Sequence, residues 1–174
     1  MKSDAIAIAN YFVDKSLSDN SESYPLTLRR IVGYVYIAHG FALAILDKNI
    51  IDDRFDKVEA WDYGPVIPSV YYSFHHNGNN VITNPSPIVE SENRDGTLTF
   101  GESKVKDKKT KKILDFVWKR YSKMPTGNLI DNLRKDGTPW AFCYRAWKNR
   151  EIPDKMTKVY YQAMIEELLK QKQK

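Results

Sequence analysis

Apolar residues along this chain recur mostly at three- and four-residue spacing, which predicts helices far more than strands. Ala5, Ile8, Ala9, Phe12 and Val13 define a first helix that Ser3 can cap and that ends near Ser16 to Asn20. After a polar loop and Pro25, Thr27 is placed to cap the clearest run of all. There Ile31, Tyr34, Val35, Ala38, Phe41, Ala42 and Ile45 keep one face apolar, while Val32, Tyr36, Ile37 and Leu43 carry the apolar character onto others. A helix apolar on several sides belongs at the centre of a fold. Gly33 and Gly40, on nearly the same side of it, allow another element to approach closely.

Beyond the polar connection Asp47 to Asp56 the pattern shortens. Val58 to Trp61 suits a brief extended segment. A helix starting between Pro65 and Pro68 carries Val70, Tyr71 and Phe74 and finishes around His76, where Asn77-Gly78-Asn79-Asn80 is a stop with Gly78 suited to a left-handed cap. Val81 to Val89 reads as extended chain, and Asp95-Gly96 before Thr97 to Phe100 as a hairpin turn and its second strand. Helical spacing returns from Ser103 to Tyr121 through Val105, Ile113, Phe116 and Val117. Pro125 breaks it, and Thr126 can cap a short helix through Leu129, Ile130 and Leu133. Thr138 and Pro139 begin another through Trp140, Tyr144, Ala146 and Trp147, and Pro153-Asp154 precedes a last helix with Met156, Val159, Tyr160, Ala163 and Leu168 in register. The fold expected is mainly α: a compact bundle of six or seven helices around a central apolar helix, with a small β-hairpin element between the third and fourth helices. It forms a single domain over 1–174 with a frayed basic tail over 170–174.

Charge alters this picture in one place. The net charge is +5, but Lys104, Lys106, Lys108, Lys109, Lys111 and Lys112 stand against Asp107 alone, and the rest of the chain balances. The excess is therefore one patch, either a solvated helix start or a contact for an acidic partner or for phosphates. Lysines at a helix start oppose its dipole, which keeps the second option open. One cysteine, Cys143, excludes an internal disulfide, and Met1 to Asn10 lacks the pattern of a secretory signal, so a cytoplasmic location is expected. The apolar block Ile31 to Leu46 is short for a bilayer and is assigned to the core, not to a membrane.

Groups that could do chemistry do not gather. His39 lies in the most apolar helix and reads as a hydrogen-bonded structural histidine. His75 and His76 are adjacent, so on a helix they diverge by roughly 100° and do not share a metal. Cys143 between Phe142 and Tyr144 reads as a buried thiol. No phosphate loop, paired-cysteine spacing or nucleophile elbow occurs, and Glu59 and Asp62 alone do not define acid-base work. A protein without enzymatic activity, cofactor or metal is expected. An enzyme would need His39, Glu59 or Asp62 to converge in a deep pocket.

The most specified stretch is Glu59-Ala60-Trp61-Asp62-Tyr63-Gly64-Pro65-Val66-Ile67-Pro68-Ser69-Val70-Tyr71. Gly64 and Pro65 force a turn, and Pro68 suits the first turn of a helix. Trp61, Tyr63, Tyr71 and Tyr72 could serve as rigid aromatic anchors for a partner. The alternative places Trp61 and Tyr71 in the core.

This stretch resembles the signature of the SocA-like, or Panacea, domain found in antitoxins and in phage-associated proteins. The likeness extends to the apolar helix before it, to Val117-Trp118 with Tyr121, to Thr126-Gly127 with Leu129, and to Thr138-Pro139-Trp140, covering roughly residues 4 to 150. Two departures occur. Arg30-Ile31 stands where the family often has Lys-Leu, and Arg134 stands where many members carry a Thr-His pair. The resemblance implies a helical protein that neutralises a toxin encoded beside it, by direct binding or by delivering it to a ClpXP-type protease. A homo-oligomer is a further possibility. A phage or mobile-element regulator that contacts nucleic acid through the lysine patch is the alternative.

Overall fold

The computed structural model of the chain describes residues 5–51 and 56–172. The first two apolar runs become helices Ala5–Ser18 (α1) and Leu28–Leu46 (α2). Two short strands, Glu59–Trp61 (β1) and Gly64–Val66 (β2), precede helix Pro68–Phe74 (α3), which runs on into a tight turn His75–Asn77. A hairpin follows, Ile88–Glu92 (β3) and Leu98–Gly101 (β4). Helices Lys108–Tyr121 (α4), Thr126–Arg134 (α5) and Pro139–Cys143 (α6), a strand Arg150–Glu151 (β5) and helix Asp154–Lys172 (α7) complete the order. The fold is mainly α, as expected: seven α-helices among the described residues and two small antiparallel sheets, of order β2-β1-β5 and β3-β4.

α2 is the axis. It is buried along most of its length, with Ile31, Tyr34, Val35, Ala38 and Ala42 shielded from solvent, and α1, α4, α5 and α7 pack around it. By length and composition α2 could also cross a membrane, but 78% of its most apolar window is buried inside the protein, as in the core helix of a water-exposed fold. Its glycines serve close approach. A Cβ on Gly33 would press on Leu133 of α5, and one on Gly40 would collide with the ring of Tyr161 of α7.

A buried cation ties these helices together. The Arg30 side chain is fully enclosed. Nη1 donates to the Met124 carbonyl (2.8 Å) and the Thr126 hydroxyl (3.1 Å). Nη2 donates to the carbonyls of Tyr121 (3.2 Å) and Ser122 (2.9 Å) and to the Tyr34 hydroxyl. These carbonyls end α4, where the helix dipole is negative, so the charge is met by oriented backbone and not by a carboxylate. Burial pushes the Tyr34 hydroxyl above its ordinary pKa even against the neighbouring guanidinium.

Several local expectations change. Thr27 occupies the cap position of α2 without a side-chain cap bond, and Ser3 lies outside the described residues. Thr126 does not cap α5; Pro125 holds that position, and the Thr126 hydroxyl is engaged by Arg30. α4 starts at Lys108, not near Ser103, because the Asp107 carboxylate accepts from the amides of Lys109 and Thr110. Gly78 takes φ +56° but with ψ −122°, outside the left-handed helical region. α6 stops at Cys143, short of Tyr144 to Trp147; Trp147 turns to φ +63° and is 89% exposed. The inner face of α7 is Thr157 and Tyr161, leaving Val159 exposed, and α7 continues through Lys172, so the expected frayed tail is helical up to that point. Cys143 is only half-buried, and burial raises its thiol pKa.

Replacing Arg30 with Met takes the guanidinium donor from the Met124 carbonyl and one donor each from the carbonyls of Tyr121 and Ser122, which keep the amides of Met124 and Tyr24, so stability in urea unfolding should fall by about 2 kcal/mol. A loss below about 0.5 kcal/mol would show that the Met124 carbonyl is satisfied otherwise.

Candidate partner-binding cleft

The specified stretch folds into a hairpin whose return strand the apolar pattern does not announce. Trp61 pairs with Gly64, Ala60 with Pro65 and Glu59 with Val66, leaving Asp62 and Tyr63 as a two-residue tip. Gly64 adopts φ +127°, a backbone region closed to side-chain-bearing residues, which is why glycine is needed there. Pro65 lacks an amide hydrogen and is tolerated because β2 is an edge strand. The other edge of β1 is covered by β5, with Glu59 opposite Glu151 and Ala60 opposite Arg150.

Side chains then lock the hairpin. Glu59 and Trp61 are two apart and share a face, and Trp61 Nε1 donates to the Glu59 carboxylate at 2.6 Å. The buried Trp140 donates from Nε1 to the Trp61 carbonyl at 2.7 Å. Tyr144 stacks on Trp140, with ring centroids 4.4 Å apart, and donates to Asp62 at 2.9 Å; that bond is the chief reason the Tyr144 hydroxyl pKa rises. Pro68 opens α3 as expected. The Asp56 carboxylate, reaching across from before β1, accepts from the Ser69 amide (3.1 Å) and hydroxyl (2.7 Å) and so caps this short helix.

Between the hairpin, the start of α2, α3 and α5 lies a cleft of about 280 Å³. Trp61, Tyr63 and Tyr71 line it, with Arg29, Val32, Pro65, Val66, His75 and Leu133. Trp61 meets Tyr71 at 4.9 Å between ring centroids, Tyr71 lies parallel to His75 at 6.0 Å, and the Arg29 guanidinium sits 4.6 Å from the centre of the Tyr63 ring. Both readings of the aromatics hold in part: Trp61 and Tyr71 are half-buried against the core, yet they also face the cleft. Tyr63 is 64% exposed. Tyr72, 61% exposed, touches the Trp61 ring edge but does not line the cleft.

The remaining candidates fall elsewhere. Gly64, Pro68, Pro139 and Trp140 build the scaffold. All six lysines of the basic patch are exposed, and Lys104 pairs with Glu102 at 3.2 Å. Lys104 and Lys106 precede α4 instead of lying on it. Lys48, just past the end of α2, binds the Asp107 cap at 3.0 Å, which places the patch and the cleft at opposite ends of a helix roughly 25 Å long. His39 is fully buried and bonds through Nε2 to Asp154 at 2.8 Å, so it does not converge with Glu59 or Asp62. Among the described residues no three His, Cys, Asp or Glu side chains group as metal ligands. Arg29, Val32 and Leu133 are cleft residues that spacing alone did not mark, because α2 is apolar on several faces and does not show which of Arg29 and Arg30 points outward.

The family model described as "Antitoxin SocA-like, Panacea domain" matches residues 34–141. Among curated proteins, "Antitoxin SocA" of Caulobacter vibrioides (strain NA1000 / CB15N) is 28% identical over 137 residues, covering 79% of this chain and 68% of the relative. No solved structure matches the chain.

The Asp154 carboxylate, which His39 and Asn49 (2.9 Å) both engage, generates a pH prediction. Burial acts to raise its pKa, but the hydrogen bond and charge of His39, with help from Lys57 and Asn49, outweigh burial and hold it lowered. The unfolded chain then binds the proton more readily, so this stabilisation is complete above the ordinary carboxylate range and is lost as pH falls through the lowered value. Asp154→Asn should flatten the acid limb of a stability-versus-pH profile; an unchanged slope would contradict the assignment.

Proposed function

We propose that this chain, which belongs to the antitoxin SocA-like, Panacea domain family, acts as one domain over 1–174 that binds and neutralises a toxin encoded beside it. The observation that carries the reading is the cleft formed by the hairpin. One wall comes from the stretch with the family resemblance, and three aromatic rings line the cleft while leaving part of their surface open to solvent. Rigid, partly exposed Trp and Tyr rings around a small apolar depression have the composition of interface hot spots. At about 280 Å³ the cleft is at or below the usual range for small-molecule and cofactor pockets, roughly 300–1,000 Å³, and suits side chains of a partner protein. The one imidazole lining it, His75, is engaged through Nδ1 at the Tyr72 carbonyl, and among the described residues no carboxylate or thiol lines the cleft beside it, which favours binding over catalysis.

Neutralisation can follow from occluding the toxin or from delivering it to a ClpXP-type protease. These differ in what happens to the toxin after binding. Occlusion leaves a stable complex, whereas delivery shortens the toxin's half-life in cells only while the protease is active.

Co-expression of the neighbouring reading frame tests the reading. That protein should arrest growth alone and be tolerated with this chain. Tyr63→Ala, at an exposed position, should weaken binding at least about tenfold with the thermal midpoint unchanged. A harmless neighbour, or one that stays toxic and does not bind, would refute the proposal.

A further inference from the structure

The charges around the cleft point to what the partner places in it. Leu28, Val32, Val66 and Leu133 make it apolar, and among the described residues Arg29 is the permanently charged side chain that lines it. Arg29 is exposed, with its guanidinium over the Tyr63 ring, and forms no ion pair with any carboxylate among the described residues. The two carboxylates of the hairpin do not neutralise it: Glu59 is turned to Trp61 Nε1 and Asp62 to the Tyr144 hydroxyl. A second arginine, Arg134, lies over the Trp140 ring at 4.9 Å beyond the turn and is likewise without a carboxylate among the described residues. The His75 ring is held by its Nδ1 contact to the Tyr72 carbonyl (2.7 Å) and by stacking on Tyr71.

We infer that the cleft receives a partner segment in which an apolar side chain is flanked by a carboxylate, the side chain entering between Trp61 and Leu133 and the carboxylate meeting Arg29. The inference rests on the cleft being the partner-binding site. An arginine lying over an aromatic ring still presents its N–H edge, and that planar fork matches a carboxylate in a bidentate bond. The volume limits the apolar component to one large side chain or two small ones. A nucleic acid would also tolerate an aromatic cleft with one arginine, but it gains most of its affinity from a track of phosphate contacts. Among the described residues Arg29 is the only Lys or Arg that lines this cleft, and the lysine cluster lies at the other end of α2.

The test measures affinity of the purified neighbour-encoded protein for wild type and for Arg29→Gln, Arg29→Glu, Arg134→Gln and Tyr63→Ala, each checked for an unchanged thermal midpoint. Arg29→Gln should weaken binding about tenfold and Arg29→Glu about a hundredfold, while Arg134→Gln, with the same loss of net charge, should stay within about threefold. Changing the matching Asp or Glu of the partner to Lys should restore binding to Arg29→Glu. Equal losses in the Arg29→Gln and Arg134→Gln variants would reduce the effect to general electrostatics and overturn the inference. Loss in Tyr63→Ala with Arg29→Glu unaffected would overturn the carboxylate while leaving the cleft as the binding site. Unchanged binding in every variant, or no binding by wild type, would overturn both. Tight binding of a mixed-sequence oligonucleotide that Arg29→Gln abolishes would replace the inference with a nucleic-acid site.

Discussion

The structure depends on a guanidinium buried without a carboxylate. Arg30 gathers the carbonyls at the end of α4 and the first hydroxyl of α5 around one charge, where the Tyr121 and Ser122 carbonyls also accept from the amides of Met124 and Tyr24. A buried cation costs several kcal/mol unless its surroundings replace water, so the turn from α4 to α5 is held in the geometry that satisfies it. That constraint reaches the cleft. α5 supplies Leu133 to its wall and packs on Gly33. Consecutive residues on a helix point roughly 100° apart, so anchoring Arg30 inward turns Arg29 outward, over Tyr63.

The hairpin is the second half of the same arrangement. Gly64 permits the two-residue tip, Trp140 grips the Trp61 carbonyl, and Glu59 takes the indole N–H. The Nε1 bond to Glu59 and the contact with the Tyr71 ring hold the indole of Trp61 in one orientation. On the proposed reading, a partner would meet rings that lose little conformational freedom on binding, the condition under which aromatic anchors contribute most.

Much of the fold was legible because α2 and α1 repeat their apolar residues without interruption, and because Thr138-Pro139 and the Asp95-Gly96 turn are local signals that need no tertiary context. What was not legible depended on distance. Asp56 capping α3, Arg30 claiming Thr126, and β5 pairing with β1 each join residues far apart in sequence or offset from their expected roles. The face of α7 was misassigned because its apolar residues are spread around the helix, so that burial of Tyr161 was decided by Gly40 making room. For the cleft, Trp61, Tyr63 and Tyr71 were marked by their motif, whereas Arg29 was hidden beside Arg30, two identical residues with opposite fates.

The most direct test is amide hydrogen exchange of the chain with and without the protein encoded beside it. Binding at the cleft should slow exchange in the segments around Leu28 to Gly33, Trp61 to His75 and Ile130 to Leu133, and leave Lys104 to Lys112 unchanged. Protection confined to the lysine patch or to the outer face of α7, with the hairpin unaffected, would contradict it.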